Sequence, residues 1–154
     1  MHSLPALLLA AASTAAFAAA ATLAAPLTAA PVGLPDNEAA TFALCEGPGR
    51  VTCVVDGDTF WYRGLKIRIA DINAPELSHP GCDYEARLAE AATRRLTALL
   101  NAGRFSLATE GRETDRYGRA LRVVMRGGQS LGYVLEREGL AEHWHGRRGD
   151  WCAA

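Results

Sequence analysis

Four carboxylates and one amide lie within one short segment, VVDGDTFWYRGLKIRIADINAPE, at residues 54–76. They are Asp56, Asp58, Asp71, Asn73 and Glu76. Side-chain oxygens of this kind are the ligands that a hard cation such as Ca²⁺ takes in proteins. The alternative for the pair Asp56 and Asp58 is an ordinary β-turn, because Asp-Gly is a favoured pair between strands and Asp side chains cap turns.

Two arginines stand in motifs of their own. Arg68 lies in the strand-like run KIRIADI, and Arg119 ends the turn-like run DRYGR at 115–119. Taken singly, each is explained by a solvent-facing strand residue or by a charged hairpin tip. Taken together with the acids, they are what phosphodiester hydrolysis requires. Acids hold a cation, one further acid acts on water, and guanidinium groups bind the phosphate with two parallel hydrogen bonds.

The first elements along the chain that must position these groups are predicted to be strands. Runs rich in β-branched and aromatic residues predict strands in RVTCVV, TFWYRG and LKIRIADI, and two later strands near 104–110 and 119–126. The prolines and glycine of NAPELSHPG exclude a regular helix between the third strand and residue 82.

Two helices are predicted after that loop. Asp83 is expected to cap a helix over residues 84–101, because a core-facing stripe recurs there at three- and four-residue spacing. The stripe consists of Leu88, Ala92, Leu96 and Leu99. Ser130 is expected to cap a second, shorter helix that Gly139 ends. The order of elements predicts an α+β domain, for which a small closed barrel with helices packed on it is the natural architecture.

The cysteines are even in number and form no C-x-x-C pair, so two disulfides are favoured over a zinc site. They are Cys45, Cys53, Cys82 and Cys152, for which three pairings are possible. The Gly-Pro-Gly turn in CEGPGRVTC favours Cys45–Cys53. Cys82–Cys152 would then tie the end of the chain to the domain.

The N-terminal region contains no Asp, Glu, Lys or Arg before Asp36. Residues 1–25 have the apolar centre and the small residues of a secretory signal peptide, and residues 26–44 are typical of a Pro/Ala-rich linker. The domain is therefore predicted at 45–154, in a periplasmic or secreted protein. An uncleaved membrane anchor and a disordered leader are the alternatives.

The predicted domain is not strongly basic. All 16 Lys and Arg and 15 of the 17 acids lie at or beyond residue 45, which gives it a formal charge of +1. Any binding of a polyanion must therefore come from the local placement of charges.

Four segments in this order resemble the staphylococcal nuclease (thermonuclease) family. They are VVDGDTF at 54–60, IRIADINAPE at 67–76, DRYGR at 115–119 and EGLA at 138–141. The resemblance implies a five-stranded OB-type barrel with helices, and an exported, Ca²⁺-dependent endonuclease acting on DNA and RNA. It further implies preference for single-stranded or frayed substrate, a monomer, and no stable protein partner.

Carried over by motif position, the resemblance assigns roles to individual residues. Arg68 and Arg119 are the arginines at the scissile phosphate, and Glu76 is the general base or orients the attacking water. Asp58 is a calcium ligand and Asp56 a supporting acid in the same turn.

The remaining assignments concern one departure from the family and the substrate groove. Asn73 stands where the family has a calcium-binding Asp, so weaker metal binding is expected, with Asp71 as a possible compensating ligand. Asp115 and Tyr117 are placed at the edge of the substrate.

The C-terminal part of the chain departs from the family as well. The C-terminal helix of the family prototype is expected to be absent, with Cys82–Cys152 pinning the tail in its place. The aromatic and basic tail is expected to flank the substrate groove, where stacking on bases tolerates any sequence. Its residues are His143, Trp144, His145, Arg147 and Arg148. Packing plus a solvated basic end is the alternative for this tail.

The sequence leaves two other functions open. Asn73 favours a non-catalytic binding module on the same barrel. The charge balance is compatible with a secreted partner-binding domain in which the acids and arginines form only a salt-bridge network.

Overall fold

A computed structural model of the chain describes residues 34–153, so the predicted signal peptide at 1–25 lies outside the described residues. The strands are β1 (Ala43–Leu44), β2 (Cys53–Val54), β3 (Thr59–Tyr62), β4 (Leu65–Ile69), β5 (Ile72–Asn73), β6 (Ser106–Ala108), β7 (Ala120–Arg126), β8 (Gln129–Ser130) and β9 (Glu142–His143). The helices are α1 (Asp83–Asn101) and α2 (Leu131–Arg137). Neither described helix is long and apolar enough to cross a membrane.

A mixed sheet runs in the order β1-β2-β3-β4-β7-β6, with β8 added to β7. Strand β4 lies in its middle, antiparallel to β3 and parallel to β7, so that Arg68 is flanked by Thr59 on one side and Leu121 on the other. Strands β5 and β9 form a separate antiparallel pair. The predicted α+β class is confirmed, and this mixed sheet with two helices is the arrangement expected of an OB-type fold.

Helix α1 covers the sheet with the apolar stripe that its sequence predicts. Ala92, Leu96 and Leu99 are buried as expected, whereas Leu88 is only half-buried and its neighbour Ala89 is buried instead. The predicted N-cap is wrong by one residue, because Cys82 occupies the cap and makes no side-chain capping bond. The second helix begins as predicted, since the Ser130 hydroxyl accepts a hydrogen bond from the Tyr133 N–H.

The segment assigned to the linker belongs in part to the domain. Phe42 is buried against the rings of Phe60, Tyr62 and Phe105. Its main-chain N–H and C=O both bond to the Asn101 side chain at the end of α1. The domain therefore begins before Cys45, because one aromatic residue in a Pro/Ala-rich stretch completes an aromatic cluster that composition does not reveal.

Both predicted disulfides are present, Cys45–Cys53 and Cys82–Cys152. The second joins the N-cap of α1 to the end of the described chain, 70 residues later. Residues 138–153 contain strand β9 and no helix. The tail is therefore held by a covalent bond to α1.

Gly57, in the turn between β2 and β3, is the point where this turn meets α1. A Cβ atom at Gly57 would lie 2.7 Å from the Cβ atoms of both Ala74 and Ala92. Carbon atoms do not approach so closely, so only glycine lets the turn pack against the helix. The glycine of the Asp-Gly-Asp motif is thus required by packing and fixes the position of the two acids beside it.

Gly57→Ala is expected to lower the free energy of unfolding by about 1–3 kcal/mol, because the added methyl overpacks the contact with α1. Chemical denaturation followed by circular dichroism measures the change. Gly49→Ala is the matched control, since a Cβ atom there meets no atom within 4 Å. Equal stability of the two variants would show that the turn does not pack as described.

Candidate functional site

The residues singled out in the sequence line two clefts that share Arg119 and Arg148. The smaller, of about 250 Å³, is lined by Asp56, Asp58 and Glu76 and is called the acid cleft below. The larger, of about 810 Å³, is called the arginine cleft. Its arginines are Arg68, Arg112, Arg116, Arg119, Arg147 and Arg148.

A buried ion pair joins the two clefts. Arg68 Nη2 lies 3.3 Å from Asp58 Oδ2, and both side chains are about nine-tenths buried. Asp58 also accepts hydrogen bonds from the Thr59 hydroxyl and the Ala74 N–H. Arg68 donates to the main-chain oxygen of Ile69. Every polar partner is supplied by β3, β4 or the segment after β5, so the fold itself fixes both groups.

Asp56 has an unusual protonation equilibrium. Its burial, together with the charge of Asp58, raises the pKa of Asp56 to about 7. Its Oδ1 accepts a hydrogen bond from the Asp58 N–H, which holds the two acids side by side. Two carboxylates so close together repel one another unless a proton or a cation lies with them.

Glu76 is held by three groups. The Ser78 hydroxyl donates to Oε1 over 2.8 Å, and Arg148 Nη1 donates to Oε2 over 3.0 Å. Its main-chain N–H donates to Glu85 in the first turn of α1. Burial raises the pKa of Glu76, but the hydrogen bonds from Ser78 and Arg148 outweigh it, and the pKa lies below its ordinary value. The group is therefore charged at neutral pH and able to accept a proton.

Arg119 stands just before β7 and reaches the start of β3. Its Nε lies 2.7 Å from Asp115 Oδ2, and its Nη1 donates to the Thr59 hydroxyl over 3.3 Å. Asp115 Oδ1 accepts the N–H groups of Tyr117 and Arg119, closing the DRYGR turn. Burial raises the pKa of Asp115, but the bonds from Arg119 and Tyr117 bring it below its ordinary value. Asp115 therefore orients Arg119, although sequence assigned it to the substrate.

The arginine cleft concentrates positive charge and aromatic surface. Its six arginines face two acids, Glu110 and Asp115, a local excess of four positive charges. Tyr117 stands two-thirds exposed at its edge, below the Arg119 guanidinium. Trp144 lies across from it, with the Arg68 guanidinium 4.6 Å above its ring centre.

Two of the predicted metal-binding positions lie elsewhere. Asn73 is buried and lines neither cleft, and its Nδ2 donates to Glu142 Oε1 over 2.9 Å. Asp71 lines neither cleft and accepts a hydrogen bond from the Ser130 hydroxyl at the start of α2. The structure therefore gives Asn73 and Asp71 bonding partners within the fold. Asn73 nevertheless lies next to Ala74, whose N–H donates to Asp58.

The tail contributes some of the residues expected of it. Trp144, Arg147 and Arg148 line the arginine cleft as predicted, whereas His145 lines neither cleft and packs against the ring of His143. Sequence reasoning did not predict that Arg148 contacts Glu76, nor that Glu142 contacts Asn73. No local signal marks these contacts, because they join residues 72 and 69 positions apart.

Comparison with known proteins agrees with this geometry. The family model of staphylococcal nuclease homologues matches residues 66–150, more than half of the chain, in a range that contains Arg68, Glu76, Arg119 and Arg148. Among curated proteins, "Endonuclease YncB" of Bacillus subtilis (strain 168) is 35% identical over 92 residues. "SPbeta prophage-derived endonuclease YokF" of the same organism is 36% identical over 92 residues.

Each of these alignments covers 56% of this chain but only 43% and 31% of the two relatives, respectively. The chain thus spans less than half the length of the relatives that it matches. The match to the family model is independent of those lengths and covers Glu76 and all six arginines of the arginine cleft. The chain belongs to the family of staphylococcal nuclease homologues.

Proposed function

We propose that this chain is a calcium-dependent endonuclease that hydrolyses phosphodiester bonds of DNA and RNA with little sequence specificity. One observation carries the proposal. Glu76 shares a small cleft with two carboxylates and with Arg119, and this cleft shares two arginines with a larger, strongly positive one. The printed names of the two Bacillus relatives, both endonucleases, support it.

The arginine cleft supplies binding of the polyanion. Guanidinium groups pair with phosphate through two hydrogen bonds and stay charged at any physiological pH. Tyr117 and Trp144 line the same cleft and offer ring faces on which any base stacks. Weak sequence specificity and preference for single-stranded substrate follow from that.

The acid cleft supplies the chemistry. Glu76, charged at neutral pH, orients the attacking water and accepts its proton. Arg68 and Arg119 stabilise the charge that develops on the phosphoryl oxygens. Asp115 and Asp58 keep those two arginines in place before substrate arrives, so that little reorganisation is needed during the reaction.

The acids of the cleft fit a hard divalent cation. Asp56 and Asp58 would hold it, and relief of their mutual repulsion would favour its binding. No group of three or more potential ligands among His, Cys, Asp and Glu side chains occurs within residues 34–153, so any further ligands would be oxygens of other kinds, from hydroxyl, amide or main-chain groups, water or substrate. Bound there, the cation would neutralise charge on the phosphate and polarise it.

Export is part of the proposal. Two disulfides support an oxidising compartment, either the periplasm or the extracellular space, which agrees with the predicted signal peptide. The protein is expected to act there as a monomer.

Cleavage of labelled single-stranded DNA and RNA, with Ca²⁺ or with chelator, tests the function. We expect cutting that chelator abolishes, and slower cutting of duplex. Binding of the oligonucleotide without cutting would favour the non-catalytic module instead, and neither binding nor cutting would favour the partner-binding domain.

Glu76→Gln is expected to lower kcat by about 10²–10⁴-fold, because the amide keeps the size and the Ser78 bond but cannot accept the proton. Cleavage rates at saturating oligonucleotide measure the change. Arg94→Ala is the control expected to leave kcat unchanged, since it removes an arginine from an exposed ion pair on α1. An unchanged kcat in Glu76→Gln would exclude the role given to Glu76.

Arg68→Ala is a poorer test of the chemistry. It would leave the buried carboxylate of Asp58 without its ion-pair partner and so destabilise the fold. A loss of activity could then come from unfolding as well as from the chemistry. Substitution of Glu76 is a cleaner test of the chemistry, because its side chain is about a quarter exposed and its replacement leaves no unpaired charge buried.

The hydrogen bond between Asn73 and Glu142 explains structurally why an amide stands at position 73, where the family has an aspartate. An aspartate at this position would place a second carboxylate about where Asn73 now donates to Glu142 Oε1. An acid at position 73 would therefore repel a charged Glu142 unless a proton or a cation lay with them.

Asn73→Asp is expected to lower the free energy of unfolding by about 1–3 kcal/mol, because a buried hydrogen bond becomes a contact between two acceptors. The double variant Asn73→Asp with Glu142→Gln should regain only part of this loss. Asn73 and the Gly149 N–H both donate to Oε1 of Glu142, so an amide nitrogen placed there to donate to the aspartate gives up the bond from Gly149. Denaturant unfolding of both variants and of Glu142→Gln alone provides the measurement. Wild-type stability of Asn73→Asp would contradict the explanation.

A further inference from the structure

The chain after β9 forms a strap along the arginine cleft that reaches the acid cleft at Arg148, and the strap is defined here as residues 144–152. At one end the Trp144 N–H donates to the main-chain oxygen of Asp71. In the middle the Gly149 N–H donates to Glu142 Oε1 over 2.6 Å. At the other end Cys152 is bonded to Cys82, the N-cap of α1. The strap is therefore attached at three points without forming a helix.

Arg148 is the strap residue that enters the acid cleft. Its Nη1 lies 3.0 Å from Glu76 Oε2. Among the residues that line the clefts, Arg148 and Arg119 are the two that line both. Its side chain remains 64% exposed, so it is held by its backbone and by Glu76 rather than by burial.

Two side chains donate to the Glu76 carboxylate. Ser78 comes from its own loop and contacts Oε1, while Arg148 comes from the strap and contacts Oε2. The main chain of Ser78 also stabilises the charged carboxylate. Without Arg148, Oε2 loses its side-chain donor, and Ser78 alone orients the carboxylate. Glu76 would then lose the orientation toward the cleft that proton transfer needs.

The stability of the fold does not explain this ion pair. Pairs with a largely exposed partner contribute little to folding. The backbone of Glu76 is already tied to α1 through Glu85, and the strap is already tied through its disulfide. What the pair adds is the direction of one carboxylate inside the cleft.

We propose that Arg148 is the positioning residue of Glu76, and that the Cys82–Cys152 disulfide keeps it in place by fixing the strap. This inference rests on the proposed nuclease function. It makes the activity depend on a disulfide outside the clefts, so that reduction of this one bond lowers turnover.

The test compares variants of the full chain, purified with disulfides formed, in cleavage of a labelled single-stranded oligonucleotide. Arg148→Ala is expected to lower kcat by about 10- to 100-fold, the effect of misplacing a catalytic group by about 1 Å. Arg148→Lys should recover most of the loss, because the ammonium still donates to Glu76. Arg147→Ala is the matched control, since it removes the same charge from the same strap and has no hydrogen bond to Glu76 among the described contacts.

Both alanine variants are expected to raise KM to a similar extent, because each takes one positive charge from the arginine cleft. They are also expected to weaken oligonucleotide binding equally, as measured by fluorescence anisotropy in chelator. Only Arg148→Ala should show the large loss of kcat. This split separates a positioning role from general attraction of the polyanion.

The role of the disulfide is tested by measuring kcat of the double variant Cys82→Ser with Cys152→Ser. The same double variant is also measured with Arg148→Ala added. Both are assayed at a temperature at which circular dichroism shows that they are folded. The pair of serines should reproduce the loss of kcat, and Arg148→Ala should add little to it. Cys45→Ser with Cys53→Ser controls for the loss of a disulfide as such and should keep the wild-type kcat.

Three outcomes decide the matter. Equal kcat for Arg148→Ala and Arg147→Ala overturns the positioning role, and wild-type kcat after loss of Cys82–Cys152 overturns the role of the strap. In both cases the wild type still cuts, so the proposed function stands. A wild type that does not cut overturns the proposed function and this inference with it.

Discussion

The buried ion pair between Asp58 and Arg68 is the contact on which both clefts depend. Two charges removed from water are tolerated only with good geometry and with their remaining hydrogen-bonding capacity satisfied. The fold supplies both, because Thr59 faces Arg68 across β3 and β4 and the Ala74 N–H bonds to Asp58. Once this pair is formed, the acid turn, the central strand and the segment leading to Glu76 have little freedom relative to one another.

Local placement, and not overall charge, creates the positive surface. The whole chain has a formal net charge of −1, yet six of its sixteen basic residues line one cleft with only two acids. Closely spaced charges between low-dielectric walls focus the electric field on that cleft. A polyanion is therefore attracted to one side of a nearly neutral molecule. Asp58 and Asp115 hold the two central arginines there in fixed directions.

The sequence predicted what depends on local pattern. The stripe of α1, the cap of α2, both disulfides and the α+β class follow from spacing and turn chemistry, and all are confirmed. The packing of Phe42, the amide of Asn73 bound to Glu142, and Arg148 on Glu76 did not follow. These contacts join distant parts of the chain and are made by residue types that are ordinary at the surface. His145 shows the converse, because an aromatic and basic neighbourhood suggested a role that its position does not support.

A crystal structure of the Glu76→Gln protein with Ca²⁺ and a single-stranded trinucleotide would show whether a cation and a phosphate meet between the paired acids and the paired arginines. We expect a cation about 2.3–2.6 Å from oxygens of Asp56 and Asp58. We also expect one phosphate that is hydrogen-bonded by both Arg68 and Arg119. A cation bound away from both carboxylates, or a trinucleotide whose phosphates contact neither arginine, would contradict this arrangement.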